Sequence, residues 1–165
     1  AGAFGVSTDF STLIGKILKK NKDTQVVAIC GKNRALKHKL EIDYAEQEMV
    51  KILGYTENMR EWMQTADVLI TKAGGVTISE ALASNIPLIL FNPVPGQEME
   101  NALYFRKNGM AKITKNLEEV LDCLEELFFE DNIKKIKYNM TKNYLPHASY
   151  NICKDIMGIL ELNKA

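Results

Sequence analysis

Between Thr71 and Ala102 the chain reads TKAGGVTISEALASNIPLILFNPVPGQEMENA, with two glycines, an acid and a Pro-Gly turn at the boundaries between apolar runs. Gly74 and Gly75 lie between a strand-like run and a helix-like one. Amides there can cradle a phosphate, because a helix N-terminus offers free N–H groups and a favourable dipole. The plainer reading is a tight strand-to-helix turn. Lys72 either adds positive charge at that spot or is a solvated turn residue. Glu80 also has two readings. As the end of Thr77-Ile-Ser-Glu80 it closes a capping box and only satisfies a backbone N–H. If the helix starts at Gly75 instead, its carboxylate stands one turn inside and can accept from both hydroxyls of a ribose whose phosphates sit at the helix end. Pro95 and Gly96 form a stiff turn before Gln97 and Glu98. That amide and acid are either a dipole-favoured first turn or a donor and acceptor for sugar hydroxyls.

Other chemistry finds little support. His38 and His147 are far apart in sequence, with no cysteine or acid at ligand spacing, so neither receives a role. No Asp-x-Asp occurs to clamp a metal-bound diphosphate. Cys30, Cys123 and Cys153 are odd in number and form no CxxC, which reads as reduced core thiols rather than disulfides or zinc ligands. The 21 basic and 21 acidic side chains cancel, which argues against a dedicated nucleic-acid binder. Lysine clusters at 16–22, 32–39 and 134–137 read as solvated faces, with attraction to a membrane surface as the lesser alternative.

The elements that must position these residues alternate. Branched runs QVVAICG, MVKILG, DVLITKAGG and IPLILFNP each end in glycine or proline and read as buried strands. Helix patterns fall at residues 7–21, 34–48, 57–65, 76–84 and 98–108. This alternation implies an α/β fold with a parallel sheet, as one domain over residues 1–165. After Lys112 the pattern is helix only, at 116–131, 132–142 and 149–162, with Asn116 and Glu119 in capping-box spacing. Gly2-Ala-Phe-Gly5 looks like the turn after a first strand that has almost no residues to form it, so the expectation is a piece of a longer chain. No apolar run reaches membrane-spanning length, and the expectation is a soluble, cytoplasmic domain.

Together, Lys72-Ala-Gly-Gly-Val-Thr-Ile-Ser-Glu80 and Pro93-Val-Pro-Gly-Gln-Glu98 with Asn101-Ala102 resemble the donor half of GT-B glycosyltransferases. The resemblance is to monogalactosyldiacylglycerol synthases and processive diacylglycerol glucosyltransferases, and more distantly to the peptidoglycan N-acetylglucosaminyltransferase. It implies a Rossmann-like doubly wound parallel sheet with extra C-terminal helices, forming the C-terminal half of a GT-B fold. It further implies UDP-glucose or UDP-galactose as donor, no separate cofactor, and a lipid acceptor such as diacylglycerol. Acceptor, membrane surface at the inner face and catalytic base belong to a missing N-terminal domain, so no catalytic or metal residue is assigned. On this resemblance Gly74, Gly75 and Thr77 hold the diphosphate with Lys72, Glu80 the ribose, and Gln97 with Glu98 the hexose. Pro95, Gly96 and Asn101 belong to the same motif, the backbone at Thr56 meets the uracil edge, Gly5 lines the phosphate side, and Gly31 resembles a family turn at the cleft. Two rivals are a noncatalytic nucleotide-binding module and an NAD(P)-dependent oxidoreductase domain. The second expects an acid after the second strand, where Cys30 is followed by Gly-Lys-Asn.

Overall fold

Every branched run forms a strand in the computed structural model, which describes residues 7–129 and 131–162. β1 (Val26–Ile29) and β2 (Val50–Leu53) pair in parallel, with Val26 opposite Val50 and Ile29 opposite Leu53. β3 (Leu69–Thr71), β4 (Leu88–Phe91) and β5 (Ala111–Thr114) form a second parallel sheet in that order. The expected sheet is therefore present in two parts, one of two strands and one of three.

β5 corrects the sequence reading of helix alone after Lys112. Four residues containing a lysine show no clear strand period, but the chain is steered there by the end of α5 (Gln97–Lys107). Met110 N–H donates to Phe105 O at 2.9 Å and Gly109 N–H to Arg106 O at 3.0 Å, with Gly109 at φ +66°. This paired closure reverses the chain after a helix and lays it against the buried edge of β4.

The helices follow the predicted pattern with shifts at their ends. α1 (Ser7–Lys20), α3 (Met59–Thr65) and α4 (Gly75–Ala83) lie where expected to within about two residues. α2 (Arg34–Asp43) stops five residues before the predicted Glu48. Its end is pinned to α1: Ser11 Oγ donates to Asp43 Oδ2 at 2.7 Å, and Tyr44 Oη donates to the Ser11 carbonyl. α6 (Leu117–Phe128) starts with the predicted cap, Asn116 Oδ1 accepting from Glu119 N–H at 2.9 Å. α7 (Asn132–Asn143) and α8 (Ala148–Leu162) complete the chain. Residues 148–160 of α8 are all exposed. Among the described residues no helix is long and apolar enough to cross a membrane.

Burial explains the order of layers. Leu88, Ile89 and Leu90 have no solvent exposure and sit in one cluster with Ile78, Ala81, Ala102, Phe105, Val120, Leu121, Ile136 and Met140. β4 is thus covered by residues of α4, α5, α6 and α7, which is why it reads as a continuous apolar run. A smaller cluster joins Ile14, Ala28, Cys30, Leu36 and Leu40 around β1. Two lysines expected on a solvated face instead reach α6: Lys16 pairs with Glu118, and Lys20 with Glu125 at 2.8 Å. These pairs are largely exposed and serve as tethers of small energetic weight.

Two measurements check this packing. Ile89→Ala should cost about 2–5 kcal/mol in denaturant unfolding, because it empties volume at the centre of the sheet. Burial pushes the thiols of Cys30 and Cys123 above the ordinary range, whereas Cys153 is exposed. A thiol reagent at neutral pH should label Cys153 first and reach Cys30 only on unfolding.

Candidate functional site

Because the strands of each sheet are parallel, every strand-to-helix turn described leaves from the same edge of its sheet. Thr71 lies opposite Leu90, so the turns that follow β3 and β4 run side by side. The first is Lys72-Ala73-Gly74, leading directly into α4. The second contains Asn92, at φ +41°, whose N–H donates to Thr114 O at 2.7 Å, and Gly96, at φ +100°. Gly96 adopts a backbone conformation that side chains rarely allow, and it ends the turn at the start of α5.

The start of α4 decides between the two readings of Glu80. The residue preceding the helix is Gly74, no side chain caps it, and Thr77 lies inside the first turn. The capping-box reading of Thr77 and Glu80 is therefore corrected. The first helical bond runs from Ile78 N–H to Gly74 O at 3.1 Å, which leaves the amides of Gly74, Gly75, Val76 and Thr77 without a helical acceptor. No acid stands in that first turn to neutralise the dipole.

Glu80 is exposed, a little over one turn into α4 and three residues beyond Thr77, so the two side chains share a face. Among the described residues its carboxylate has no hydrogen bond or ion pair, and it stands free to accept from a ligand.

The glycines of this turn have an informative geometry. Gly74 has an ordinary backbone, φ −69° and ψ 131°, and a Cβ there would meet nothing within 4 Å. A Cβ on Gly75 would meet only Asn101 Nδ2, at 4.0 Å. Neither fold nor packing requires glycine at these positions. What the missing side chains leave is open space in front of the amides.

The second turn is fastened to the first. Asn101, one turn into α5, donates from Nδ2 to Ala73 O at 3.0 Å. That amide is therefore a brace between the helix and the glycine turn, with its Oδ1 left over. Glu98 Oε2 accepts from Val94 N–H at 3.3 Å, closing the Pro93–Gly96 turn over the start of α5. Pro95, Gly96 and Gln97 are exposed, and Glu98 is half-buried. Among the described residues the side chains of Gln97 and Lys72 make no hydrogen bond or ion pair, so both can turn toward a ligand.

Gly31 and Thr56 lie at the corresponding edge of the smaller sheet. Gly31, at φ +56°, follows β1, and a Cβ on Gly54 would stand 3.7 Å from its carbonyl oxygen. Thr56 Oγ1 accepts from Asn58 N–H at 3.1 Å, which holds the turn after β2. Gly5 falls outside the described residues. The sequence reading missed Ala73, which supplies the brace, and Val76, which supplies one of the four free amides. Val76 is 75% exposed at this edge, and a large apolar residue in water beside a glycine pair is the signal that marks it.

The glycosyltransferase family 28 C-terminal domain matches residues 6–156. A processive diacylglycerol beta-glucosyltransferase of Staphylococcus haemolyticus is 43% identical over 98% of this chain, and the match spans 41% of that protein. One from Staphylococcus aureus is also 43% identical, over 97% of this chain and 41% of its own length. The chain thus spans about two fifths of the length of these relatives. Among solved structures, S. aureus MnaA with UDP aligns with a TM-score of 0.77 at 14% identity, covering 94% of this chain and 42% of that one. A UDP-N-acetylglucosamine 2-epimerase from Listeria monocytogenes aligns at 0.72 and 15%, covering 94% and 41%. At such identity these structures establish the fold, the C-terminal half of a GT-B arrangement.

Gly74→Ala and Glu80→Gln separate a ligand site from a structural turn. Each should change stability by less than about 1 kcal/mol, since neither removes a contact within the fold. Glu80→Gln should weaken UDP binding by about 1.5–3 kcal/mol, the range for hydrogen bonds to charged groups, and Gly74→Ala should weaken it by filling with a methyl group the space the glycine leaves open. Titration calorimetry beside thermal melts measures both, and unchanged affinity in both variants would return this turn to a structural role.

Proposed function

This chain belongs to glycosyltransferase family 28, as a C-terminal domain, and from that premise we propose that it holds the UDP-sugar of an enzyme that transfers a hexose to a lipid. The names of its relatives favour glucose as the hexose and diacylglycerol as the acceptor. One observation carries the reading: four free amides at the start of α4 face open space left by two glycines, with the unpaired Glu80 carboxylate one turn further along.

The chemistry follows from these groups. The amides of Gly74, Gly75, Val76 and Thr77 receive the diphosphate, and Lys72 adds charge beside it. Glu80 accepts from the ribose hydroxyls, and backbone at Thr56 meets the uracil edge, with Gly31 lining the cleft. Gln97 and Glu98 take hexose hydroxyls, their direction set by the Pro95-Gly96 turn and by the brace from Asn101.

In the transfer, the bond from the anomeric carbon to the diphosphate oxygen breaks as an acceptor hydroxyl oxygen attacks that carbon. Negative charge grows on the departing diphosphate, where fixed N–H groups and the helix dipole stabilise it without reorganising. The acceptor's proton goes to a base. On this reading the base and the lipid-binding surface belong to the remainder of the enzyme, which acts as a peripheral protein on a membrane face.

Calorimetry with UDP, NAD and NADP tests the nucleotide class. UDP should bind and the two dinucleotides should not; preference for either dinucleotide would overturn the reading in favour of an oxidoreductase domain. Gln97→Ala should weaken UDP-glucose by about 0.5–1.5 kcal/mol, the worth of a neutral hydrogen bond, and leave UDP unchanged. The 165-residue chain alone should form no glycolipid from UDP-glucose and diacylglycerol.

A further inference from the structure

Ion pairing of lysine is uneven across the chain. Lys16 and Lys20 of α1 pair with Glu118, Asp122 and Glu125 of α6, Lys37 and Lys39 of α2 with Glu41 and Asp43 one turn along, and Lys112 of β5 with Glu126. Glu119, the other acid in the first turn of α6, accepts from Lys115 N–H and from Asn116. The acids of α6 are thus directed at α1, β5 and its own cap. α7 differs: it holds Lys134, Lys135, Lys137 and Lys142 and no acid. Among the described residues Lys134 alone of these has an ionic partner, Asp131 at 2.7 Å.

Helical periodicity gathers these charges on one face. Ile133, Ile136 and Met140 pack against the core, so Lys134, Lys135, Tyr138, Thr141 and Lys142 turn to solvent, and all five are exposed. Tyr138, 69% exposed, stands in the middle of that face with lysines on both sides along the helix. A second element widens it. Asn139 Nδ2 donates to Gly109 O at 3.1 Å, which brings the end of α5, with exposed Arg106 and Lys107, beside α7. Among the described residues neither of these two makes an ion pair. Just past α7, Tyr144 and Leu145 are exposed as well, Leu145 at 73%. In a chain whose 21 basic and 21 acidic side chains cancel, Asp131 is the one acid named against six bases here.

We propose that this face, α7 with the end of α5, docks on an anionic lipid membrane, as a contact of this domain's own beside the acceptor-binding surface in the remainder of the enzyme. Charge complementarity carries it: lysines without acid partners on one helix face attract a negatively charged bilayer, and each one held near such a surface strengthens binding about fivefold. The choice of a membrane over another polyanion rests on the reading that the acceptor is a lipid, and the face itself agrees with it. Five of the six bases are lysines, mobile point charges suited to headgroups, whereas nucleic-acid phosphates are gripped by the two-pronged fork of arginine. Tyr138 and Tyr144 carry amphipathic rings of the kind that settle at headgroup depth, with Leu145 able to reach the acyl boundary. Zero net charge over the rest of the molecule gives no long-range pull on a nucleic acid. None of these residues belongs to the glycine turn of α4 or the Pro93–Gly96 turn, so a docked domain keeps its donor residues uncovered.

Vesicle flotation tests the proposal. Vesicles of phosphatidylglycerol in phosphatidylcholine should carry the chain with them, and phosphatidylcholine alone should not. Raising ionic strength from about 0.1 M to about 1 M should release it, as the screening length falls from about 10 Å to about 3 Å. Lys134→Gln, Lys135→Gln and Lys142→Gln combined should weaken partitioning by at least about tenfold, because three surface charges are lost. Lys19→Gln, Lys22→Gln and Lys32→Gln combined remove the same charge from the other two lysine clusters and should leave partitioning nearly unchanged. Thermal melts confirm that both variants fold, and calorimetry with UDP on the same samples should give the wild-type affinity, which keeps a failure of lipid docking distinct from a failure of the donor reading. Absence of binding to anionic vesicles, equal binding to neutral ones, or equal loss in the two variants would overturn the proposal. Tighter binding to duplex DNA or RNA than to anionic vesicles would also overturn it, by assigning the face to nucleic acid.

Discussion

The parallel pairing of β3 with β4 is the constraint from which the site follows. Two parallel neighbours cannot be joined by a hairpin, so each must leave its sheet through a helix that begins at the same edge. The amides that begin α4 and the turn that begins α5 are thereby forced side by side, with Thr71 opposite Leu90 setting how far each turn projects. β4 holds this arrangement because three of its residues have no exposure and four helices contribute to its cluster. The brace from Asn101 to Ala73 O then fixes the two turns relative to one another.

Glycine occurs in the turns of this sheet for different reasons, which only coordinates distinguish. Gly96 is required by its backbone, at φ +100°. Gly109, where α5 turns into β5, is also required by its backbone, at φ +66°, and a Cβ there would in addition stand 2.6 Å from Asn139 Nδ2. Gly74 is required by neither, and that residual freedom makes it the informative one. In sequence the three are alike, and the phosphate reading of Gly74 had no advantage over a plain turn.

Alternation of strand and helix was legible because branched runs such as VVAI and LILF are long enough to show their character and end at glycine or proline. β5 was not, because AKIT acquires its strand form from the edge of β4 and from the closure at Gly109. The end of α2 was hidden for a similar reason, since it is set by Tyr44 and Asp43 reaching Ser11 over thirty residues away. The candidate site was readable in composition and ambiguous in geometry. Thr77 and Glu80 satisfy the capping-box spacing, and what excludes that reading is the helix starting at Gly75, two residues before Thr77.

α8 carries a consequence for how the molecule melts. All of residues 148–160 lie in solvent, Ile152, Ile156, Ile159 and Leu160 among them, so this helix draws almost nothing from tertiary burial. A lone helix of about fifteen residues is marginal in water, because nucleation is costly and each added residue returns little. Its helix-coil balance is therefore separate from that of the core. On warming, helical signal should fade gradually from this segment at temperatures where Leu36, Leu40 and the β4 cluster remain locked, giving a sloping baseline before the cooperative step.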